Sequence, residues 1–419
     1  MADCALAVDF GTSNSAAAFL DGATPRRLAI EPGAETLPTA VFFPGDGGPM
    51  RIGSVATAAL IAGEEGRYMR ALKSVLGTAL FHEPRLIGGR RRTLAEIVTA
   101  FLATLKARAE AQAGRAFPRV LSGRPVHFHS ADAARDARAE ADLRGCYLAA
   151  GFDEVRFLFE PEAAALATHG LGRAGGLGLI VDIGGGTSDF TVFETAGTTA
   201  GTGGVRILAS HGIRLGGTDF DHAVSMRQAM PLLGRGGELN RTLGTGRLPV
   251  PNALYADLST WAKIPFLYTP ETRRAVAEMV RQAVTPAVLG RLGTVIDKEL
   301  GHELAFAVEA GKIAANAGAA QASIDMAAIE PGLTAPIDPG ALTAALGGFQ
   351  AELGLAMAET LGLAGIAAER IAAVILVGGS SLMGLVAAEA LAVCPAAELH
   401  RSEAFTAVVD GLALATRAG

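Results

Sequence analysis

Two stretches of this chain share one form, and no other feature constrains its fold as strongly. Leu6-Ala7-Val8-Asp9-Phe10 runs into Gly11-Thr12-Ser13-Asn14-Ser15 and then Ala16-Ala17-Ala18-Phe19. Leu179-Ile180-Val181-Asp182-Ile183 runs into Gly184-Gly185-Gly186-Thr187-Ser188-Asp189 and then Phe190-Thr191-Val192-Phe193. Each is an apolar run of strand length with an aspartate near its end, a turn of Gly, Thr and Ser, and a second apolar run. That pattern reads as a β-hairpin. Its return about 170 residues later predicts two related lobes of ordinary domain size. Lobe I is expected over 1–174, with a C-terminal helix within 400–419 packing back onto it. Lobe II is expected over 175–399 and includes a helical subdomain at about 225–320.

The intervening sequence alternates strand and helix patterns. Leu94, Ile97, Val98, Phe101, Leu102 and Leu105 fall on one face of a helix over 94–110. Residues 132–150 read as a second helix, 272–317 as a helical region and 405–417 as a terminal helix. Strands are expected over 119–128, 155–159 and 372–377. The class is therefore α/β. Residues 195–204 and 235–246 read as glycine-rich loops, the second mobile, and Arg90-Arg91-Arg92 as a solvated loop before a helix.

Composition excludes several functions. The net charge of −6, with no basic stripe, argues against nucleic acid. Cys4, Cys146 and Cys394 are too scattered for a zinc site or a disulfide framework, which fits a reducing cytoplasm. No secretory leader is expected ahead of Val8 and Asp9. The mean hydropathy of +0.34 raises the question of a membrane span. The best candidate, 371–397, is interrupted by Gly378, Gly379, Ser380, Ser381 and Glu389. It reads instead as a buried strand, a turn and a helix. His127, His129, His169, His211 and His222 lack metal-ligand spacing. Trp261 reads as core, and Met226 and Met230 as helical packing.

The turns themselves suit phosphate. Glycine lets backbone N–H groups approach an anion closely, and the hydroxyls of Thr12, Ser13 and Thr187 add donors. Asp9 and Asp182 stand near the strand ends, where a carboxylate holds magnesium through its waters. Two such turns at lobe spacing can clamp one nucleotide from both sides.

The first turn resembles the phosphate-1 motif of the actin, sugar-kinase and heat-shock-protein-70 superfamily. The second is similar to the phosphate-2 motif of the heat-shock chaperones in particular. Phe159-Glu160-Pro161-Glu162-Ala163-Ala164-Ala165 resembles the connect-1 segment, and Val377-Gly378-Gly379-Ser380-Ser381 the adenosine motif. Leu215-Gly216-Gly217-Thr218-Asp219-Phe220-Asp221 resembles the stretch that follows phosphate-2. Ala71-Leu72-Lys73-Ser74-Val75-Leu76-Gly77 looks like the segment holding a lysine near the γ-phosphate. Glu309-Ala310-Gly311-Lys312, followed by Gln321-Ala322-Ser323-Ile324, resembles the segment that grips the adenosine. The chain has only five lysines, and two of them, Lys73 and Lys312, fall in these slots.

The resemblance implies an actin-like ATPase fold, two ribonuclease-H-like lobes around a nucleotide cleft. It implies ATP/ADP and magnesium as ligands, and slow hydrolysis with nucleotide-driven closure. Catalysis falls to Lys73, Glu160, Asp182 and Thr187, and magnesium to Asp9, Asp182 and Glu160. Asp9, Gly11, Thr12, Ser13 and Asn14 contact nucleotide from one turn, and Gly184, Gly185, Gly186, Thr187 and Asp189 from the other. Gly216 and Gly217, Glu309, Lys312 and Asn316, and Gly378, Gly379, Ser380 and Leu382 complete the set. Glu160 has a simpler reading as well, an N-cap-like residue before a helix beginning at Pro161.

The departures from the chaperone pattern fall in the adenine half. Leu382 and Ile313 stand where the chaperones carry stacking arginines, and Asn316 stands for a serine. Apolar packing of the base and weaker base selectivity are expected. Within Gly123-Arg124-Pro125-Val126-His127-Phe128, Pro125 occupies the slot of a proline that relays between lobes. The surroundings resemble a divergent bacterial branch of short chaperone-like proteins made of the nucleotide domain only, so no peptide-binding module is expected. The implied partners are ATP and an unidentified protein or co-chaperone, with no nucleic acid and no membrane. A nucleotide-gated binding scaffold without hydrolysis is the alternative. A small-molecule kinase fits less well, because the second turn is closer to the chaperone version and Lys73 has no role in that chemistry.

Overall fold

The computed structural model describes residues 5–129, 132–167, 176–195, 205–241, 244–319, 321–401 and 406–418. Cys4, His169 and residues 196–204 of the expected loop lie outside them. The chain divides into two compact units. The first holds Met1–Arg214, Leu353–Leu382 and Val386–Gly419, and the second Leu215–Glu352 with Met383–Leu385.

The first unit contains two sheets of the same topology. In one, β1 (Ala5–Phe10) and β2 (Asn14–Asp21) form an antiparallel hairpin that continues into β3 (Thr24–Leu28). On the other side of β1 lie β4 (Arg119–Arg124) and β5 (Glu154–Phe159), both parallel to it. The short strand Thr36–Pro38 also pairs with β2. In the other sheet, β6 (Leu177–Ile183) and β7 (Ser188–Thr195) repeat the hairpin and continue into β8 (Val205–Ile213). There β9 (Ile371–Val377) and β10 (Glu398–Arg401) supply the parallel side. Parallel neighbours cannot be joined by a tight turn, so each is reached by a crossover. The helix Ala133–Ala149 makes that connection between β4 and β5.

The helix Leu94–Ala113 starts where its sequence says it should. Thr93 Oγ1 accepts from Glu96 N at 3.1 Å while Glu96 Oε2 accepts from Thr93 N at 2.7 Å, a reciprocal cap. Its buried stripe is the expected one, extended by Ala109. It joins Val8, Phe10, Phe117 and Val120 in one core. Central strands buried on both faces read as continuous apolar runs.

A second core joins the hairpin strands to two helices, Glu160–Ala167 and Ala407–Ala415. The helices cross at Gly411, where an added Cβ would overlap the carbonyl oxygen of Ala163. The terminal helix is also tied to β3: Arg27 Nε and Nη2 donate to the Asp410 carboxylate at 2.6–3.1 Å. Both partners are partly buried, which makes this pair worth more than an exposed one.

The second unit is mostly helical, with Gly217–Val224, Ala253–Leu258, Pro270–Gln282, Pro286–Asp297 and Gly301–Asn316. The expected helical region is thus three helices broken near Ala283 and Leu300. Pro270 and Pro286 sit at their first positions, where a missing N–H costs nothing. Trp261 packs edge-on against His302 and Phe306, with centroids at 5.0 and 4.9 Å.

Several local expectations need correction. Strand β4 ends at Arg124, because Pro125 has no N–H for the ladder. Arg90–Arg92 is a strand, paired with Arg85–Ile87. The 235–246 region is not simply a mobile loop, since Glu238–Asn240 pairs with Arg247–Pro249. The one helix among the described residues long and apolar enough to cross a membrane is Pro339–Ala364, not a segment of 371–397. Its buried residues Leu342, Leu346, Leu353, Met357 and Leu361 recur at helical spacing, as on a helix with one face against a protein core.

Candidate functional site

In the first unit the two turns face each other. A Cβ on Gly185 would lie 3.0 Å from Ser13 Oγ, so the second turn abuts the first. The first turn is anchored from outside: Thr39 N donates to Ser13 O at 2.8 Å, and the buried Ser15 and Thr39 hydroxyls are 2.8 Å apart. The second closes on itself, with Gly184 N donating to Thr187 O at 2.9 Å. Gly186 has open space where a Cβ would stand, and Thr187 is exposed. Both turns therefore present backbone and hydroxyl groups to a common space.

Lys73 stands beside this space in a short 3-10 turn, Leu72–Val75. Ala71 just before it is held in the left-handed region at φ 57°, a conformation a non-glycine residue keeps only when its surroundings impose it. The imposing contacts come from the other side of the loop. Gly77 N donates to Asp142 Oδ2 at 2.9 Å, His82 Nε2 donates to Asp142 Oδ1 at 2.8 Å, and His129 Nε2 donates to Leu76 O at 2.8 Å. Lys73 Nζ then meets Glu160 Oε1 at 2.5 Å, with both side chains largely buried. Glu160 is the first residue of its helix, which begins there and not at Pro161.

Three more carboxylates surround that pair. Asp9 lies on β1, and Asp182 and Asp189 are directly opposed across β6 and β7. Like charges so placed repel. Burial, then Glu160 and Asp189, push Asp182 up to about 8. Burial and Glu160 push Asp9 up to about 7 against the pull of Lys73. Burial and Glu160 raise Asp189 to about 6. Burial disfavours the Lys73 ammonium, but Glu160, Asp9 and Asp182 outweigh it and hold its pKa above the usual value. Four carboxylates share one lysine, so the pocket is short of positive charge. A cavity of about 20 Å³ lies between Glu160, Asp182 and Asp189, room for about one water.

That deficit suits a hard divalent cation. Among the described residues no three Asp, Glu, His or Cys side chains converge closely enough to enclose one. A magnesium ion that keeps its waters and shares phosphate oxygens, as it usually does beside a nucleotide, does not need such an enclosure. The adenosine-motif glycine reaches the same place. Gly378 has φ 82°, and a Cβ there would lie 2.6 Å from Ile183 O and 2.7 Å from Asp182 Oδ1. Ser381, not Ser380, is the buried serine of that motif, its Oγ donating to Gly378 O at 2.7 Å. Ser380 and Gly379 are partly exposed, and Leu382 is exposed.

The residues expected around ribose and adenine in the second unit have partners of their own. Lys312 is buried and 2.7 Å from Asp221 Oδ1. Asn316 Oδ1 accepts from Gly384 N at 2.8 Å. Gly216 and Gly217 open the helix Gly217–Val224, with Asp219 Oδ2 accepting from Gly216 N at 2.9 Å. Glu309 and Ile313 are exposed. Nothing in the sequence marks a role for Asp142 or for Arg124. The Arg124 guanidinium donates to Pro125 O at 3.0 Å and Val126 O at 3.2 Å, pairs with Asp136 and Glu140, and lies 5.2 Å from the ring centres of Phe128 and Phe159. It fixes Phe159, the residue before Glu160.

With this geometry in view, a comparison with protein-family models bears on the fold. Residues 85–229 match the model described as Hsp70 protein. That stretch, about a third of the chain, is similar to the Hsp70 family. The match supports the actin-like ATPase fold and an ATP-binding, chaperone-like function. The matched segment spans Glu160, the whole second turn and Gly216-Gly217, and it ends at residue 229, beyond the first helix of the second unit.

The raised carboxyls have a consequence for stability. The folded protein keeps a proton on Asp182 that the unfolded chain loses near pH 4. The stabilisation linked to that proton is complete below the unfolded pKa and is lost as pH rises through about 8. Asp182→Asn removes the charge. The magnesium-free variant should then be more stable than wild type at pH 9, by about 1–3 kcal/mol, with little difference near pH 4. Calorimetry in a chelator at the two pH values checks this. A variant less stable than wild type at pH 9 would contradict it.

Proposed function

We propose that this Hsp70-like chain is a slow, magnesium-dependent ATPase of the cytoplasm that couples nucleotide state to a protein partner. One observation carries the reading: a buried Lys73–Glu160 pair among Asp9, Asp182 and Asp189, beside two facing turns. Phosphoryl transfer to water needs mainly positioning and charge stabilisation, which are what this arrangement offers.

In this reading the backbone N–H groups of Gly11–Asn14 and Gly184–Thr187 hold the phosphates. Asp9 and Asp182, with Glu160, would hold magnesium, which would supply positive charge to the phosphate oxygens. Lys73 neutralises charge on the terminal phosphate, Thr187 hydrogen-bonds it, and Glu160 orients the attacking water. Asp189 supports the second turn from its place opposite Asp182. Lys312 and Glu309 serve the ribose. Leu382 and Ile313, both exposed, offer the base apolar contact in place of stacking arginines.

Glu160→Gln keeps shape and a hydrogen-bonding group but loses the charge. It should bind ATP with magnesium within about threefold of wild type and hydrolyse it at least about 50-fold more slowly. Single-turnover hydrolysis with radiolabelled ATP, beside calorimetric binding, reads both. Hydrolysis at the wild-type rate would remove Glu160 from the mechanism. Tight binding without hydrolysis in the wild type itself would favour the nucleotide-gated scaffold.

A further inference from the structure

The hairpin of Arg85–Ile87 and Arg90–Arg92 plays no part in the nucleotide reading, and it borders a cavity of about 430 Å³. Arg90, Arg91 and Arg92 line it, with the partly exposed Met50 and Ala100 supplying apolar surface and Phe43 and Ile97 almost fully buried. The volume is in the range of ligand sites. Its charge is concentrated in three consecutive residues, whereas several arginines elsewhere are matched: Arg27 with Asp410, Arg51 with Glu64, Arg124 with Asp136 and Arg291 with Glu330. Among the described residues no carboxylate forms an ion pair with Arg90, Arg91 or Arg92. Glu96 at the rim is already engaged as the cap of its helix. Arg92 lies 4.9 Å from the centre of the Phe43 ring and so is held by a cation–π contact.

Three uncompensated guanidinium groups over an apolar floor are complementary to a carboxylate-bearing ligand with an apolar body. The hairpin has only two strands, so its outer edges are not paired within a sheet. An extended chain can lie along such an edge. Leu86, directly opposite Arg91, is 70% exposed and adds apolar surface on the outer face. A nucleic acid is a poor fit, because a long polyanion would leave this patch and meet a protein of net charge −6.

We infer that this cavity binds an acidic polypeptide segment, with one bulky apolar side chain against Met50 and Ala100 and its flanking carboxylates on Arg90 and Arg91. The inference does not depend on ATP hydrolysis. The probe is a fluorescein-labelled peptide of alternating aspartate and glutamate around one central phenylalanine, titrated with the full chain and followed by anisotropy. Saturable binding is expected, weakened at least about tenfold in Arg90→Ser/Arg91→Ser and at least about fivefold when the central phenylalanine is replaced by serine. Arg92 is left in place because it packs on Phe43, and an unchanged thermal midpoint shows that the double variant is folded. Equal affinity in the double variant would overturn the inference. So would equal affinity for the peptide without phenylalanine, or tighter binding of a labelled oligothymidylate of the same charge.

Discussion

Lys73→Ala will bind ATP with magnesium yet hydrolyse it at least about 100-fold more slowly than the wild type. The reason is local. Among the described residues Lys73 is the one cation within the group of Asp9, Glu160, Asp182 and Asp189, and its loop is fixed by Asp142 and His129. Its loss removes the charge proposed to balance the transferring phosphate. It also leaves Glu160 buried without its partner, so the variant should lose about 1–3 kcal/mol of stability at pH 8. Pairing it with Glu160→Gln separates the two effects. Lys73→Ala/Glu160→Gln should recover most of that stability and none of the activity, a coupling that a thermodynamic cycle measures. Hydrolysis by Lys73→Ala near the wild-type rate would contradict the assignment.

Gly411→Val should cost at least about 3 kcal/mol, or prevent folding, and should lower ATP hydrolysis under conditions where the protein still folds. The side chain would enter the space of the Ala163 carbonyl oxygen, and a backbone atom cannot turn away as a rotamer does. Separation of the two helices is the only relief, and one of them begins at Glu160. Gly411→Ala should show the same direction with a smaller loss. Denaturant unfolding gives the magnitudes. A Gly411→Val variant of wild-type stability would show that the crossing is looser than described.

What the sequence disclosed of this site is what short-range pattern can disclose. Each phosphate turn lies between two strands only a few residues apart, so apolar runs, aspartate and glycines stand together and the hairpins are legible. The scarcity of lysine made Lys73 stand out. Its partner is a different matter: Glu160 is 87 positions away, and only the family resemblance joined them. The same limit hid Arg27–Asp410, whose partners are 383 positions apart, and the placing of β9 beside β6.

Other misses have other causes. Arg90–Arg92 carries no apolar alternation, so nothing local marks it as a strand; its pairing with Arg85–Ile87 does. Pro339–Ala364 is mixed alanine, glycine and leucine, and its buried stripe is blurred by apolar residues on the other faces. Apolar content along the sequence therefore points to 371–397 for a span. Asp142 and Arg124 are single charged residues whose importance lies wholly in what they hold. The adenine half was read residue by residue, and there Lys312 and Asn316 prove to have partners within their own unit.

The most direct measurement is a crystal structure with ADP and magnesium bound. The account predicts the phosphates against the backbone of Gly11–Asn14 and Gly184–Thr187, magnesium linked through waters to Asp9 and Asp182, and Lys73 turned toward the β-phosphate side. Nucleotide bound elsewhere, or bound there with no cation near Asp9 and Asp182, would contradict it.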